Sequence, residues 1–320
     1  MSYFITDRRY YMVFKEKDFF GIRDLTSEEI RYILSTAETM KYILNQKNKK
    51  SPHLQGKSVI ILFYEPSARA KLSYELAAQH LSANVVDMTM ATTNVYQEKL
   101  QDMGQLVDQT GADFIILRHP MAGAARLLAQ NVSASVINAG DGFNENPGQS
   151  LLDLMTIKEQ KSGFKGLKVA IIGDLIHSRV CKSNIWALTK LGADVCVSGP
   201  PTLLPPDIEK FGVDVYYDAR KAVTDADVIL TSRMKTETRN KNLVPSLTEY
   251  KHFFRIDENL LHYAKPDAIV LHPGPIQRGI EISANVIDSK QCIINDQIAN
   301  SVAVRMAILY ILSQIGGGLR

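Results

Sequence analysis

The chain has 320 residues, of which 45% are hydrophobic and 22% are charged, and its formal net charge is +3. This length is sufficient for two domains with full-sized cores, and so small a charge gives no reason to expect a nucleic-acid partner. The sequence has no charge-free stretch of 18 apolar residues, no secretory signal and no metal-ligand spacing among its three cysteines. We therefore expect a cytoplasmic protein with reduced thiols and no membrane partner.

The first half of the chain begins with a clear helix start. Thr26 and Ser27 can cap a helix whose first turn carries Glu28 and Glu29, and this pattern predicts a helix through Ile30–Ile43. After it, short apolar runs alternate with helical patterns, which indicates a parallel sheet covered by helices on both faces. The predicted strands are Ser58–Phe63, Asn84–Met88, Phe114–Leu117 and Ser135–Ile137, and the helices between them are Leu72–Leu81, Leu100–Gln109 and Ala122–Gln130.

The second half repeats this alternation after a bridging helix, Gln149–Gln160, and has its own glycine-marked turn at Gly173-Asp174. The pattern predicts a last helix at about Ile298–Ser313 but does not decide where it docks. We therefore predict the α/β fold class, with two doubly wound parallel-sheet domains and a cleft between them. The domains are expected at 1–148 and 149–297, followed by a C-terminal helix in 298–320. The predicted elements here are strands Lys168–Ile172, Asp194–Val197, Val213–Tyr216, Asp227–Leu230 and Ala268–Leu271, and helix Val180–Lys190.

The turn Glu65–Lys71 has the features of an anion-binding site. A helix that begins there points unpaired N–H groups and the positive end of its dipole beyond the preceding strand. With Ser67 as its cap and Arg69 in its first turn, the expected ligand is a phosphate or a carboxylate. An ordinary strand-to-helix turn with a serine cap accounts for these seven residues equally well.

Four arginines follow different predicted strands: Arg69, Arg118, Arg179 and Arg233. In open α/β sheets ligands bind beyond the carboxyl ends of the strands, and arginine suits bidentate recognition of carboxylate and phosphate. Any one of these arginines is more simply explained as a surface ion-pair partner. Four of them at the same topological position predict small-molecule substrates that carry several negative charges.

Longer motifs resemble those of the aspartate and ornithine carbamoyltransferases. Glu65–Lys71 is similar to that family's phosphate signature Ser-Thr-Arg-Thr-Arg, and Val136–Thr156 to its block Asn-Ala-Gly-Asp-Gly…His-Pro-Thr-Gln…Leu-Leu-Asp. Gly173–Arg179 and Thr231–Arg233 resemble the segments that carry the family's two amino-acid-binding arginines. His272–Ile282 resembles its His-Pro-x-Pro…Arg-Gly-x-Glu-Ile motif. A cysteine typical of the ornithine branch is absent there, so the resemblance is closest to the aspartate branch.

The resemblance implies a role for each matching residue. The phosphate of carbamoyl phosphate, an acyl phosphate, would be bound by the signature from Ser67 to Ala70, including Ala68 and Arg69, together with Arg118. Arg69 and Arg118 would also take part in catalysis.

Residues of the later motifs would contact the carbamoyl group and the amino-acid substrate. Asn146 and Gln149 would be catalytic residues at the carbamoyl group, and Arg179 would hold a carboxylate of aspartate. Arg233 would hold its second carboxylate, and the carbonyls of Gly274-Pro275 would orient the attacking amine. The resemblance further implies a reaction without a cofactor, a homotrimer with shared active sites that a regulatory chain can join, and a place in pyrimidine biosynthesis.

Three departures from the family's pattern fall on residues that would bind or activate carbamoyl phosphate. Ala68 and Ala70 stand where the family has threonines, so two hydroxyl donors to phosphate are missing. Asn146 replaces the histidine that polarises the carbamoyl oxygen, although an amide still donates one hydrogen bond to an oxyanion. The lysine that a neighbouring subunit supplies is also missing, because its position falls on Val95 or Tyr96.

Two hypotheses follow from this combination. The first is an enzyme that moves a carbamoyl or related acyl group from an acyl phosphate to aspartate or a similar dicarboxylate amino acid. The retained arginines, Gln149 and the loop that contains Pro273 and Pro275 (the proline loop) support it. The second is a non-catalytic paralogue with a binding, regulatory or assembly role, and the changes at Ala68, Ala70 and Asn146 support it. The sequence favours the enzyme and leaves the acyl donor open.

Overall fold

The computed structural model describes residues 14–89, 99–234 and 243–316. By its internal contacts the chain divides into unit 1, Met1–Asp141 with Ser301–Arg320, and unit 2, Gly142–Asn300. The boundary expected after residue 148 would fall in the first turn of a helix, Pro147–Lys161, that belongs to unit 2 as a whole. The division instead follows the end of a strand.

Unit 1 contains a parallel sheet with helices between its strands. Its strands pair in the order β2-β1-β3-β4, and every pairing is parallel. In chain order the elements are α1 (Ser27–Leu44), a 3-10 turn (Pro52–Leu54), β1 (Ser58–Phe63), α2 (Ala68–His80), β2 (Asn84–Asp87), α3 (Leu100–Gln109), β3 (Phe114–His119), α4 (Ala124–Ala129) and β4 (Ser135–Asp141).

Unit 2 contains a second parallel sheet, whose strands pair in the order β7-β6-β5-β8-β9. Its elements are α5 (Pro147–Lys161), β5 (Lys168–Ile172), α6 (Arg179–Lys190), β6 (Asp194–Ser198), 3-10 turns (Pro201–Leu203 and Ile208–Phe211), β7 (Asp214–Tyr216), α7 (Ala219–Val223), β8 (Val228–Thr231), α8 (Leu247–Phe254), α9 (Glu258–Leu261), β9 (Ile269–Leu271), α10 (Ala284–Ile287) and the start of α11 (Ile294–Gly316). The prediction of two α/β units with parallel sheets is confirmed.

The predicted start of the first helix is confirmed by a reciprocal cap. Thr26 Oγ1 accepts a hydrogen bond from Glu29 N at 3.1 Å, and Glu29 Oε2 accepts one from Thr26 N at 2.7 Å. This capping box satisfies two N–H groups that a helix start otherwise leaves unpaired. Helix α1 therefore begins at Ser27, within the segment that the capping pattern marks and ahead of the apolar run at Ile30.

The core of unit 1 packs the sheet against α3 and α4. Leu62, Leu117 and Val136 come from three neighbouring strands, and Val107 and Leu128 cover them from the helices; all five side chains are buried. Unit 2 has an equivalent core between its sheet and the helices α7, α8 and α9. Nearly continuous burial along the inner strands β1, β3, β5 and β8 explains why they appear in the sequence as unbroken apolar runs, whereas the edge strands β2 and β7 are mostly exposed or half-buried.

The last helix, α11, is longer than predicted, and the division between the units falls inside it. Residues from Ser301 onward belong to unit 1, where Arg305 lies 4.9 Å from the centre of the Tyr74 ring and Tyr310 packs edge-on against His53 at 4.7 Å. By length and composition alone α11 could cross a membrane. Of its most apolar window 56% is buried inside the structure, as in a core helix.

Two glycines let the backbone segments that follow β5 and β6 approach each other. A Cβ atom on Gly199 would lie 2.2 Å from the carbonyl oxygen of Gly173. Gly173 itself has a φ of +122°, and a Cβ there would lie 2.5 Å from Ser232 Oγ. Only glycine fits both positions without a backbone shift. The turn Gly173-Asp174 that the sequence marks therefore depends on Gly199 as well.

We expect Gly199→Ala to destabilise the protein by about 1–3 kcal/mol or more, because the added methyl group meets backbone rather than a flexible side chain. Urea unfolding measures the change as a lower midpoint. Gly163→Ala is the matched control, since a Cβ at Gly163 meets no atom within 4 Å. Equal midpoints for the two variants would contradict the close approach.

Candidate active site

Arg118 lies at the carboxyl end of β3, beside the turn that leads into α2. It pairs in register with Phe63, the last residue of β1. Its Nε lies 3.7 Å from Glu65 Oε2, and its Nη1 donates a hydrogen bond to the Ala139 carbonyl at 3.2 Å. The guanidinium therefore lies next to the first residue of the Glu65–Lys71 turn, at one edge of the sheet.

Helix α2 begins without a side-chain cap. Ser67 occupies the capping position but makes no capping hydrogen bond, so the prediction of a serine cap is wrong. Its backbone angles are φ −157° and ψ 89°, and in this conformation its hydroxyl accepts no hydrogen bond from the first-turn N–H groups. In that turn Ala68 and Arg69 are exposed, whereas Ala70 is buried. Uncapped N–H groups at a helix start favour an anion.

Lys71, which stands where the family signature has its second arginine, pairs with a carboxylate of its own unit. Its ammonium group forms an ion pair with Asp87 at the end of β2. The hydrogen bond to Asp87 raises the pKa of Lys71 above its ordinary value. The charge of Lys71 is thus partly neutralised by Asp87, and Arg69 is the cation that remains exposed in the first turn of α2.

The turn that follows Arg118 is fixed by a neutral histidine and a buried carboxylate. His119 Nδ1 accepts a hydrogen bond from Met121 N at 3.0 Å, and burial lowers the pKa of the imidazole, which favours the neutral ring that can accept. Asp141 Oδ2 accepts from Gly123 N at 2.7 Å, and its Oδ1 accepts from Asn138 Nδ2 at 2.9 Å. These bonds hold the chain that leaves β3.

Helix α5 of unit 2 also begins without a side-chain cap. Asn146 occupies the capping position and makes no capping hydrogen bond with its amide. Its backbone N–H donates to Ser183 Oγ at 3.0 Å, and that hydroxyl donates to Glu145 Oε2 at 2.9 Å. Ser183 on α6 therefore fixes the backbone at the start of α5, while the Asn146 amide takes no part in capping. By contrast, Ser178 caps α6 in the ordinary way.

Gln149, in the first turn of α5, is bonded to a buried carboxylate. Its Nε2 donates to Asp153 Oδ1 at 2.9 Å. Asp153 is fully buried and also accepts from Gln297 Nε2 at 2.7 Å and from Asn184 Nδ2 at 2.8 Å. Gln297 in turn accepts from His272 N at 3.0 Å. One carboxylate thus connects Gln149 with the start of the proline loop.

Arg179 is buried at the start of α6, and its Nη1 donates to the Gly142 carbonyl at 3.3 Å. The turn that precedes it is held by Asp174, which accepts from the backbone N of His177 at 3.0 Å and from His177 Nδ1 at 2.9 Å. Asp174 N donates to Ser232 Oγ at 2.6 Å. The segments that carry the two predicted amino-acid-binding arginines are therefore joined.

Arg233 is exposed and stands between two fixed residues. Ser232 is held by Asp174 as described, and Met234 N donates to Glu281 Oε1 at 2.9 Å. Glu281 is fully buried, and its other oxygen accepts from Gln277 N at 2.8 Å. Burial raises the pKa of the Glu281 carboxyl above its ordinary value, against the lowering effect of these amides. Glu281 thereby ties the Arg233 segment to the proline loop.

Within each unit the structure brings predicted site residues together. In unit 1 Arg118 adjoins the turn that holds Ser67, Arg69 and the two alanines. In unit 2 hydrogen bonds connect Gln149 to the loop that holds Gly274-Pro275, since Gly274 N donates to His272 Nδ1 at 2.7 Å. Arg179 and Arg233 are connected through Asp174 and Ser232.

The carboxylates that hold these groups were not among the residues predicted from the sequence. Asp153 and Glu281 lie inside the motifs Leu-Leu-Asp and Arg-Gly-x-Glu-Ile, so the sequence does contain a signal for both. Gln297 carries no such signal, because only the fold brings the start of α11 to α5. The positions expected for a neighbour's lysine, Val95 and Tyr96, lie outside the described residues.

No metal site is formed by the described residues, in which no three His, Cys, Asp or Glu side chains are grouped to hold an ion. The cysteines are free; Cys181 and Cys196 are buried and Cys292 is partly buried. Burial raises the pKa of Cys181 to about 12 and that of Cys196 to about 11. These thiols stay protonated at neutral pH and are poor nucleophiles.

Two protein-family models together match nearly the whole chain. Residues 17–159 match the model described as aspartate/ornithine carbamoyltransferase, carbamoyl-P binding domain. Residues 165–312 match the model described as aspartate/ornithine carbamoyltransferase, Asp/Orn binding domain.

Individual relatives agree with these models. The chain is 56% identical over 308 residues to the aspartate carbamoyltransferase catalytic subunit of Acetivibrio thermocellus, covering 96% of this chain and 99% of that protein. The ornithine carbamoyltransferase from Pyrococcus furiosus superposes with a TM-score of 0.83 at 29% identity, covering 96% and 99% of the two chains. The catalytic subunit of aspartate transcarbamoylase from M. jannaschii gives 0.82 at 33% identity, with coverage of 95% and 100%.

The raised pKa of Glu281 predicts a pH-dependent difference between the native protein and Glu281→Gln. Gln offers one acceptor for two backbone N–H groups, so the variant is less stable. As the pH rises above about 4.5, the carboxyl group loses its proton more readily in the unfolded chain than in the fold. The native protein therefore loses part of its extra stability over the variant between pH 4.5 and the folded-state pKa. Urea unfolding of both proteins at pH 5 and pH 8 measures the difference between their free energies of unfolding, which should be smaller at pH 8. A difference that grows with pH would contradict a raised pKa for Glu281.

Proposed function

Because the chain belongs to the aspartate/ornithine carbamoyltransferase family, we propose that it transfers the carbamoyl group of carbamoyl phosphate to the α-amine of aspartate. The family consists of transferases, and the proposed reaction needs no cofactor. The observation that carries the proposal is the uncapped N-terminus of α2 beside Arg118, which is a site for a phosphate group.

The phosphate end of the proposed site relies on backbone donors and two arginines. The first-turn N–H groups of α2, Arg69 and Arg118 would bind the phosphate oxygens, with Ser67 adding a hydroxyl that is not used as a cap. Ala68 and Ala70 lack the family's hydroxyls. Each missing hydrogen bond to a charged oxygen is worth about 1.5–3 kcal/mol, so we expect weaker phosphate binding rather than its loss.

The amino-acid end of the proposed site favours a dicarboxylate. Arg179 and Arg233 would each bind one carboxylate, and their segments are held by Asp174 and Glu281. Ornithine presents an ammonium group where aspartate presents its second carboxylate, and an arginine would repel it. The relatives named aspartate carbamoyltransferase catalytic subunit support this choice of acceptor.

The proposed chemical step is a displacement at the carbamoyl carbon. The amine lone pair of aspartate forms the new N–C bond, the C–O bond to phosphate breaks, and phosphate leaves with its electron pair. The amine proton passes to phosphate or to solvent. An oxyanion develops on the carbamoyl oxygen, and the Asn146 amide and the arginines would donate hydrogen bonds to it. Positioning and charge stabilisation therefore supply the catalysis.

The assembly and location are also proposals that follow from the family resemblance. We infer a homotrimer with shared active sites, open to a regulatory chain, in the cytoplasm and in pyrimidine biosynthesis. A non-catalytic paralogue, the alternative raised by the sequence, gains no support from the relatives, which are named as catalytic subunits.

The proposal predicts carbamoyl transfer to aspartate that exceeds transfer to ornithine by more than about 100-fold in kcat/KM. Steady-state assays of carbamoyl-amino-acid formation with each acceptor measure it. Arg233→Ala should lower kcat/KM for aspartate by about 10- to 150-fold, which corresponds to about 1.5–3 kcal/mol for a charged hydrogen bond.

Arg220→Ala is the matched control for this assay. Arg220 is an exposed arginine of the same unit that has no assigned role in the site, and its guanidinium pairs with Asp218 at 2.9 Å. The Arg220→Ala variant should leave kcat/KM for aspartate unchanged. A folded protein that transfers nothing to aspartate would refute the proposal in favour of the non-catalytic paralogue, and a preference for ornithine would refute the acceptor.

A further inference from the structure

Asp153 accepts hydrogen bonds from three side-chain amides inside unit 2. The fully buried carboxylate accepts from Gln149 Nε2 and Gln297 Nε2 through Oδ1, at 2.9 and 2.7 Å, and from Asn184 Nδ2 through Oδ2 at 2.8 Å. An ionised carboxylate only accepts hydrogen bonds. Each of the three amides must therefore turn its NH2 group toward Asp153 and its carbonyl oxygen away.

Gln297 shows the consequence of this constraint. Because its Nε2 is bonded to Asp153, its Oε1 is directed elsewhere and accepts from His272 N at 3.0 Å. His272 Nδ1 then accepts from Gly274 N at 2.7 Å. The orientation imposed by one carboxylate is thus transmitted to the proline loop as a fixed pattern of donors and acceptors.

The same constraint applies to Gln149. With its Nε2 bonded to Asp153, the Oε1 of Gln149 is left as an acceptor in the first turn of α5. If the NH2 group of Gln149 were turned outward instead, it would meet a ligand as a donor. The two orientations have the same shape, so only the partner of the amide decides between them.

We propose that Asp153 is a positioning residue that sets Gln149 as a hydrogen-bond acceptor and so makes the site prefer an acyl group bearing an N–H. This inference rests on the proposed function, because it assigns Gln149 to the carbamoyl group. Carbamoyl phosphate offers N–H donors to such an acceptor. Acetyl phosphate, which has a methyl group of similar size at the same place, offers none.

The test is calorimetric titration with carbamoyl phosphate and with acetyl phosphate, for the native protein and for variants. The measured quantity is the ratio of the two dissociation constants. The native protein should bind carbamoyl phosphate about 10-fold or more tightly, and Asp153→Leu, which removes the acceptor, should reduce that ratio to near one. Asp153→Ala, which leaves room for a water, carries the same expectation if the leucine variant does not fold.

Asp153→Asn is the rescue variant. Its remaining oxygen can accept from Gln149 and Gln297, and its NH2 can donate to Asn184, whose buried Oδ1 accepts no hydrogen bond in the structure. We therefore expect the preference to be kept within about threefold. A loss of the preference in Asp153→Asn equal to that in Asp153→Leu would overturn the inference, because it would assign the effect to charge.

Asn300→Leu is the matched control for stability. Asn300 is a buried amide one turn further along α11, and it donates to Thr156 Oγ1 at 3.0 Å and Glu159 Oε2 at 2.8 Å on α5. It should lower the melting temperature and leave the binding ratio unchanged.

Two further results would overturn the inference. The first is a native protein that does not distinguish the two phosphates. The second is an Asp153→Leu variant that weakens both to the same extent. Neither depends on turnover, so binding preference without transfer would refute the proposed function while supporting the role of Asp153.

Discussion

Buried carboxylates that accept several N–H hydrogen bonds hold the candidate site of unit 2 in place. Asp153, Asp174 and Glu281 are each almost fully buried, and each accepts at least two hydrogen bonds. A buried carboxylate is costly unless such bonds compensate for the water it has lost. The loops around these groups are therefore confined to arrangements that keep the bonds. This confinement gives Gln149 and Arg233 defined positions.

Unit 1 uses a different constraint at the corresponding end of its sheet. There the first-turn N–H groups of α2 have no side-chain cap, and Arg118 approaches the same turn from the adjacent strand. The helix start needs an acceptor that its own sequence does not provide. The loss of two hydroxyls at Ala68 and Ala70 changes the strength of this site, whereas its backbone donors and its arginines are kept.

Much of this architecture is predictable from the sequence, because strands buried on both faces appear as unbroken apolar runs. The bounds of β1, β5 and α3 match the predicted ranges, and the residues proposed for the site follow strands as the topology requires. The serine cap on α2 was predicted wrongly, since the presence of a serine at position 67 does not fix the backbone and side-chain angles that a cap requires. Gln297 and its bond to Asp153 were not predictable, because they depend on tertiary packing between helices far apart in the chain. The short helices α7, α8, α9 and α10 lack a long periodic pattern and were missed for that reason.

We propose that this chain, a member of the aspartate/ornithine carbamoyltransferase family, retains both halves of a carbamoyl-transfer site. Calorimetric titration with N-(phosphonacetyl)-L-aspartate, a compound bound in a structure of aspartate transcarbamoylase from Trypanosoma cruzi, tests it most directly. The compound joins a phosphonate to a dicarboxylate in one molecule, so a protein with both halves should bind it at least about 100-fold more tightly than carbamoyl phosphate or aspartate alone. Binding no tighter than that of either separate compound, or aspartate binding with no carbamoyl phosphate binding, would contradict the account.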